Sequence, residues 1–276
     1  MVRSIFSQPT SAGFKLWNNF VALFIFVSCV TLALDTVQEI FDEYGHVFKV
    51  IEWISVGVFT LDYIGNILFS EKKIKYAFTL WGIIDLVSIL PSYLMLLNLT
   101  ALRGSKVLRL LRVARVLRVL KLARQATQLS TSEANPIVAN LKIYFIIFFS
   151  VLMISSTAMY FVEGSLYSQE VMEAGQKAID AATPAGQTPE KFVPLDPISG
   201  NPIPEDKRFY TSIPAAMWWS IVTLTSTGYG DMFPVTVGGR IIAGITMLLG
   251  LVLFGILLNV IGKTLMVVLF GEKLHN

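Results

Sequence analysis

Between residues 103 and 124 a basic side chain stands at every third position without a gap: Arg103, Lys106, Arg109, Arg112, Arg115, Arg118, Lys121 and Arg124. Nearly everything between them is Leu, Val or Ala. One such charge at a bilayer centre costs about 2.5–3.5 kcal/mol on insertion scales, so a row of them needs partners or water. A helix lying on a membrane surface repeats its polar residues with a period near 3.6. On an α-helix a strict period of three spirals backwards by about 60° per step. It becomes a straight stripe only in a 3₁₀-helix, at about 3.0 residues per turn. Such a repeat suits a helix that slides past fixed counter-charges, one base replacing the next. Glu52, Asp62 and Asp85 are the candidates, since each lies inside an apolar run where an acid is costly. Counted from the inner ends of their runs, Asp62 lies roughly 10 Å deep and Asp85 roughly 8 Å, while Glu52 lies about 15 Å further out. Phe59, one turn outside Asp62, can plug the space between outer and inner acids.

A second motif follows residue 210. Thr211-Ser212-Ile213-Pro214 starts a helix with a hydroxyl cap and an early proline. Residues 215–225 give about three turns, too short to span. The helix runs into Ser226-Thr227-Gly228-Tyr229-Gly230-Asp231. Extended backbone at membrane depth is allowed only where it is buried in protein or lines water. Gly228 and Gly230 permit the backbone angles that turn successive carbonyls the same way. Four such strands would stack rings of oxygens able to replace the water shell of K⁺.

These segments need a membrane scaffold, and the composition supplies one. Of 276 residues 54% are hydrophobic and 15% are charged, against about 25% charged in soluble domains, and the mean hydropathy is +0.64. The chain is read as an integral membrane protein, which excludes disorder and nucleic-acid binding as the main role. Apolar stretches run from Trp17 to Leu34, Val47 to Phe69, Leu80 to Leu97, Leu141 to Val162 and Ile241 to Phe270, with the basic segment 102–125 as a sixth. The first has no small-residue cleavage site and reads as a retained span. Basic residues in short loops mark the cytoplasmic side. Arg3 and Lys15 precede the first stretch, acids fill the next loop, and Lys72, Lys73 and Lys75 fill the one after. Both termini then fall inside, with parity only if residues 102–125 cross. The segment 163–212 is acidic and rich in Pro, Ala and Gly; its prolines forbid a continuous helix, and an extracellular loop, partly irregular or mobile and without an apolar face, is expected. Asn98-Leu99-Thr100 matches a glycosylation pattern in a very short turn beside the membrane. The single cysteine, Cys29, excludes a disulfide framework, and no Ser/His/Asp, Cys/His or metal cluster points to an enzyme. The ladder holds eight of the 22 basic residues and no acid. The formal +3 and the pI near 8.9 therefore reflect that one segment; without it the chain is acidic.

Thr227-Gly228-Tyr229-Gly230-Asp231 at the end of a short helix between two spans, together with the ladder, resembles the voltage-gated potassium channel family over nearly the whole chain outside residues 163–212. The fold implied is an all-α membrane protein of six transmembrane helices per chain. Four form a voltage sensor and two form a pore with a re-entrant pore helix, and the assembly is tetrameric. The resemblance divides the chain into a cytoplasmic N-terminus (1–16), a sensor domain (17–125), a cytoplasmic linker (126–140), a pore domain (141–270) and a cytoplasmic C-terminus (271–276). Within the pore domain it assigns a turret (163–212), a pore helix (213–225), a selectivity filter (226–231) and an inner helix (239–270). Ser226, Thr227, Gly228, Tyr229 and Gly230 would bind K⁺, Trp218 and Trp219 would brace Tyr229, and Asp231 would support the filter. Arg109, Arg112, Arg115 and Arg118 match the main gating charges, with Lys121 and Arg124 below them. Glu52, Asp62 and Asp85 match the acidic positions and Phe59 the charge-transfer aromatic. Gly250 matches the hinge of the last helix.

There are departures from the family pattern. Ser226-Thr227 replaces Thr-Val but keeps a hydroxyl for the innermost ion site. Leu257-Leu258-Asn259 stands where many animal relatives carry a proline pair, which leaves Gly250 or Gly255 to bend the helix. Asn66 stands where relatives often have Arg. No tetramerisation domain is expected before the first span and no nucleotide-binding domain after the last. The expected function is passive, voltage-gated K⁺ flux through a homotetramer in contact with membrane lipids, in the cell membrane (plasma membrane or bacterial inner membrane). It needs no cofactor, and K⁺ at the filter is the only metal. A ligand- or lipid-modulated cation channel of the same architecture is the alternative; a secondary transporter would show repeated halves.

Overall fold

The computed structural model describes residues 11–69, 73–96, 114–122, 136–184 and 187–270. Among these there is no strand, only an isolated bridge between Leu195 and Pro202. The chain clusters into two compact units, Met1–Ile154 with Val252–Asn276, and Ser155–Leu251. Among the described residues three helical stretches are long and apolar enough to cross a membrane by length and composition: Ala12–Leu34, the one beginning at Ile137, and Val237–Val267.

In the first unit α1 (Ala12–Leu34) starts at Ser11, whose side chain accepts from the Phe14 N–H at 3.1 Å. α2 (Gln38–Phe69) begins nine residues before the apolar stretch does, because its first turns carry polar residues that helix geometry tolerates outside an apolar layer. A short α3 (Lys73–Ala77) leads into α4 (Leu80–Leu96). Thr79 starts α4, its hydroxyl accepting from the Gly82 N–H at 3.1 Å. A Cβ at Gly82 would collide with the Tyr76 carbonyl, so only glycine lets the α3–α4 corner close this tightly.

Each helix turns one stripe inward. On α1 it is Val21, Ile25, Ser28, Cys29 and Leu32; on α2, Ser55, Val56, Phe59, Asp62 and Asn66; on α4, Asp85, Ser88, Ile89 and Ser92. These are i, i+3, i+4 spacings, and two of the three stripes carry a carboxylate. Against them lies η1, a 3₁₀-helix over Arg115–Leu120. Arg115 and Arg118 thus sit in the one helix type that turns a threefold repeat into a straight row. Arg103, Lys106, Arg109, Arg112 and Arg124 lie outside the described residues, as do residues 126–135 of the expected linker. Residues 136–140, expected in that linker, form the first turn of α5 (Pro136–Glu163) with proline at its start.

In the second unit the segment after α5 corrects the expectation of a stretch without an apolar face. A 3₁₀ turn (Gly164–Tyr167) and α6 (Gln169–Ala182) occupy its first third. The prolines begin only at Pro184, and Gln169–Ala182 consists largely of Ala, Glu, Gln and Lys, good helix formers. Met172, Gly175 and Ile179 share one partly buried face, so an apolar stripe is present after all. The side chain of Gln176 ties the following loop to α6, accepting from the Phe192 N–H at 2.8 Å and donating to the Glu190 carbonyl at 3.1 Å. α7 (Ile213–Leu224) is capped by Ser212, which accepts from the Ala215 N–H at 3.2 Å. It packs through Ala216 and Trp219 on Met159, Tyr210 and Ala243. α8 (Val237–Phe270) closes the described chain.

Candidate functional site

Two groups of residues stand out, one in each unit. In the first, the stripes of α1, α2 and α4 converge on η1. Arg118, 1% exposed, meets Glu52 with two parallel bonds, Nη1 to Oε2 at 2.8 Å and Nη2 to Oε1 at 2.9 Å. Its Nη1 also donates to Ser28 Oγ. Ser92 Oγ donates to Glu52 Oε1 at 2.7 Å, and Arg115 Nε lies 3.7 Å from the same oxygen. One step further, just past the end of η1, Lys121 Nζ lies 3.0 Å from Asp62 Oδ2 and 3.1 Å from Asp85 Oδ1. The depth arithmetic set these two aspartates level with each other and Glu52 further out; here they share one ammonium, and Glu52 takes the preceding base. Phe59 is fully buried between the two ion pairs, its ring centroid 5.5 Å from Arg118 Cζ and 5.1 Å from Lys121 Nζ. Both cations lie within cation–π range of that ring. The spacing of Glu52, Phe59 and Asp62 produces this order, since offsets of seven and three keep all three on one face of α2.

The remaining carboxylate oxygens of the inner pair have donors of their own. Trp17 Nε1 donates to Asp62 Oδ1 at 3.0 Å and the Tyr76 hydroxyl to Asp85 Oδ2 at 2.7 Å. Neither residue was apparent as a site residue from sequence, because an aromatic near a helix end is usually packing. Asn66 faces inward at 9% exposure, and its amide donates to the Asp62 backbone carbonyl at 2.8 Å.

In the second unit α7 ends at Leu224 and the chain turns through the glycine motif. Ser226, Gly228 and Gly230 have φ of +58°, +58° and +76°. Positive φ at every second residue, alternating with negative φ, aims consecutive carbonyls to one side. The two glycines were expected to adopt such angles; Ser226 does so too, although left-handed backbone costs a non-glycine residue roughly 1–2 kcal/mol. The amides point back instead. Ser226 N donates to the Thr223 carbonyl at 3.1 Å, and Thr227 N and Gly228 N to that of Val222 at 3.0 and 3.3 Å. No hydrogen bond to the carbonyls of residues 226–230 is found among the described residues. The whole stretch from Thr225 to Asp231 is exposed in the single chain.

Trp218 stacks on Tyr229 with centroids 5.9 Å apart and planes 6° from parallel, and its Nε1 donates to Asp231 Oδ2 at 2.7 Å. Trp219 faces the other way and packs edge-on against Tyr210 at 6.1 Å. Burial pushes the phenols of Tyr210 and Tyr167 well above their ordinary range, and Tyr167 accepts from the Tyr210 N–H at 2.7 Å.

Two features behind the strand were not apparent from sequence. Glu163, counted only among the loop acids, is 1% exposed. It accepts from Val235 N at 3.0 Å, Thr236 N at 3.0 Å and Thr236 Oγ1 at 2.6 Å. A carboxylate thus holds the start of α8, where the helix dipole favours negative charge. Gly250, expected as a hinge, is a point of close approach: a Cβ there would lie 2.6 Å from the Leu224 carbonyl oxygen. By contrast, a Cβ at Gly255 meets nothing within 4 Å.

The profile of the ion transport protein family matches residues 14–268. A protein of Rhodopseudomonas palustris named a putative potassium channel is 25% identical over 270 residues, covering 94% of this chain and 54% of the relative. The human voltage-gated potassium channel regulatory subunit KCNG3 is 28% identical over 276 residues, covering 92% and 57%. A cyclic nucleotide-gated potassium channel of Mesorhizobium japonicum is 51% identical over 47 residues, which are 17% of this chain and 13% of the relative. The chain therefore spans about half the length of the full-length matches. With the family profile covering nearly its whole length, the chain is a membrane protein that belongs to the ion transport protein family.

Proposed function

We infer that the protein is a voltage-gated, potassium-selective channel. Four chains close a pore around the Ser226–Gly230 strand, six spans cross the membrane in each chain, and both termini are cytoplasmic. The reading rests on the extended segment whose alternate residues have positive φ, whose first amides are tied to α7 and whose carbonyls have no partner among the described residues. A row of aligned, unsatisfied carbonyls is unfavourable beside lipid and favourable beside a dehydrated monovalent cation. One strand per chain makes fourfold closure the natural assembly. Potassium is then the permeant ion rather than a cofactor, and the reaction is passive flux rather than catalysis.

The first unit supplies the voltage dependence in this reading. Arg103 to Arg124 carry the charge, and Glu52, Asp62 and Asp85 are the stations between which it moves. A charge moving through the field is worth about 2.3 kcal/mol per 100 mV, so three or four per sensor in four chains deliver roughly 28–37 kcal/mol. That is ample to drive a pore between two states. In the structure the inner station holds Lys121, the seventh base of eight; inward travel would bring Arg118 and then Arg115 past Phe59.

The test is a voltage clamp of the reconstituted full chain under opposed K⁺ and Na⁺ gradients. The reversal potential is expected to follow K⁺ and the conductance to depend on voltage. Reversal following Na⁺ would overturn the selectivity, and a conductance independent of voltage would overturn the sensor. Because KCNG3 is named a regulatory subunit, a second reading has this chain modifying the current of other subunits. It predicts no current from the chain alone and an altered current on co-expression with a conducting relative.

A further inference from the structure

The inner station is built more elaborately than a cation between two acids. Asp62 gives Oδ2 to Lys121 and Oδ1 to the Trp17 indole N–H; Asp85 gives Oδ1 to Lys121 and Oδ2 to the Tyr76 hydroxyl. Each carboxylate is thus held at both oxygens, one by the mobile cation and one by a fixed neutral donor. The donors come from elements that carry neither acid, α1 and α3. Their placement is specified locally. Trp17 lies one turn before Val21 on the inward stripe of α1, and its ring meets that of Phe20 at 5.8 Å. Tyr76 is set by the tight α3–α4 corner, where Thr79 N donates to the Tyr76 carbonyl at 2.9 Å and Gly82 leaves room for that carbonyl. Neutral donors on these oxygens stabilise the carboxylates without competing as counter-ions.

Resting on the reading of residues 103–124 as the moving charge, we propose that Trp17 and Tyr76 are positioning residues of the inner station. They orient Asp62 and Asp85 toward the basic residue between them and so set how tightly the station holds it. Their polar atoms are hydrogen-bonded to the carboxylates. Losing either donor removes one of the bonds that orient a carboxylate and weakens the state with Lys121 in the station. With cytoplasmic termini, that state has the ladder outward and is favoured at positive internal potential.

The experiment is a charge–voltage measurement on the full chain in a cell membrane, comparing wild type with Trp17→Phe and Tyr76→Phe, which keep the ring and delete the donor. Each is expected to weaken the outward state about tenfold, on the order of 1.4 kcal/mol. At about 2.3 kcal/mol per charge per 100 mV and about three charges per sensor, this is a shift of about 20 mV to more positive voltage. Repeating both variants on Lys121→Gln separates positioning from packing. With no cation in the station the extra shift is expected to vanish. A shift that persists on Lys121→Gln, or unshifted variants beside a normal wild-type curve, overturns the proposal alone. A wild-type chain without charge movement refutes the sensor reading itself, and this proposal with it. Should Trp17→Phe fail to assemble, Tyr76→Phe carries the same test.

Discussion

Replacing Glu163 tests how the start of α8 is fixed behind the glycine strand. Its Oε1 accepts from Thr236 N and Thr236 Oγ1, and its Oε2 from Val235 N. Glu163→Gln is isosteric and can keep its oxygen on the Thr236 side. The Val235 N–H then faces an amide NH₂ and is left without an acceptor. An unsatisfied buried donor costs about 1–3 kcal/mol, and the bonds that remain lose their charged partner, roughly halving them. The charge also leaves a helix N-terminus, worth about 0.3–1 kcal/mol. The sum is about 2–4 kcal/mol for Gln, and Ala, which removes all three acceptor contacts, is expected to cost more. A loss of 2 kcal/mol in a chain of this size lowers the melting temperature by about 4–8 °C. The assay is thermal unfolding of the purified protein in detergent, followed by tryptophan fluorescence. A second arm uses Gly239, where a Cβ would collide with Glu163 Oε1 and lie 2.9 Å from Pro234 Cβ. Gly239→Ala is expected to be costly in wild type and less so in Glu163→Ala, where the first collision is gone. Full additivity of the two substitutions, or a Glu163→Gln variant melting within about 1 °C of wild type, would refute the assignment.

Gly250→Ala forces a Cβ against the Leu224 backbone, which has no flexible end to give way, and is expected to cost about 1–3 kcal/mol. Gly255→Ala meets open space and is expected to stabilise by up to about 1 kcal/mol through helix propensity; equal melting shifts for the two would contradict the close-approach role. Ser226→Gly should relieve the left-handed strain at φ +58° and raise stability by about 1 kcal/mol, whereas Ser226→Val should lower it; calorimetry of the two variants decides. In the segment before α7, Asp196 accepts from Ser199 Oγ at 2.6 Å and Ile198 N at 2.7 Å, and these bonds hold its carboxyl below the usual range. The turn is therefore fully tightened above the ordinary carboxylate value of about 4 and loosens as pH falls through the lowered one. An NMR titration of the Ser199 amide should have its midpoint below about 4, and a midpoint at or above that value would count against the turn.

The ladder and its acids were legible because charge inside apolar sequence is costly and its spacing is countable. Depth arithmetic on Asp62 and Asp85 needed only the helix rise. The glycine motif was legible because Gly228 and Gly230 mark backbone angles that other residues avoid. Ser226 was not, since its hydroxyl drew attention while its φ depends on how α7 ends. The α6 helix was missed for a simpler reason. The prolines lie at residues 184–204, and a proline cannot act on a helix that ends before it.

What the sequence determined by itself is local: a membrane-embedded chain, acids set inside apolar runs, the threefold row of bases, and the extended glycine motif after a short helix. Each follows from the chemistry of neighbours a few residues apart. What only the tertiary structure decided is who meets whom. It paired Arg118 with Glu52 and Lys121 with Asp62 and Asp85, and it brought Trp17 and Tyr76 to the spare oxygens. It also turned Glu163 from a loop acid into the anchor of α8, and it set Gly250 against the Leu224 backbone. Those assignments join residues tens of positions apart. Their geometry depends on how helices pack, and packing is a property of the folded surface rather than of local spacing.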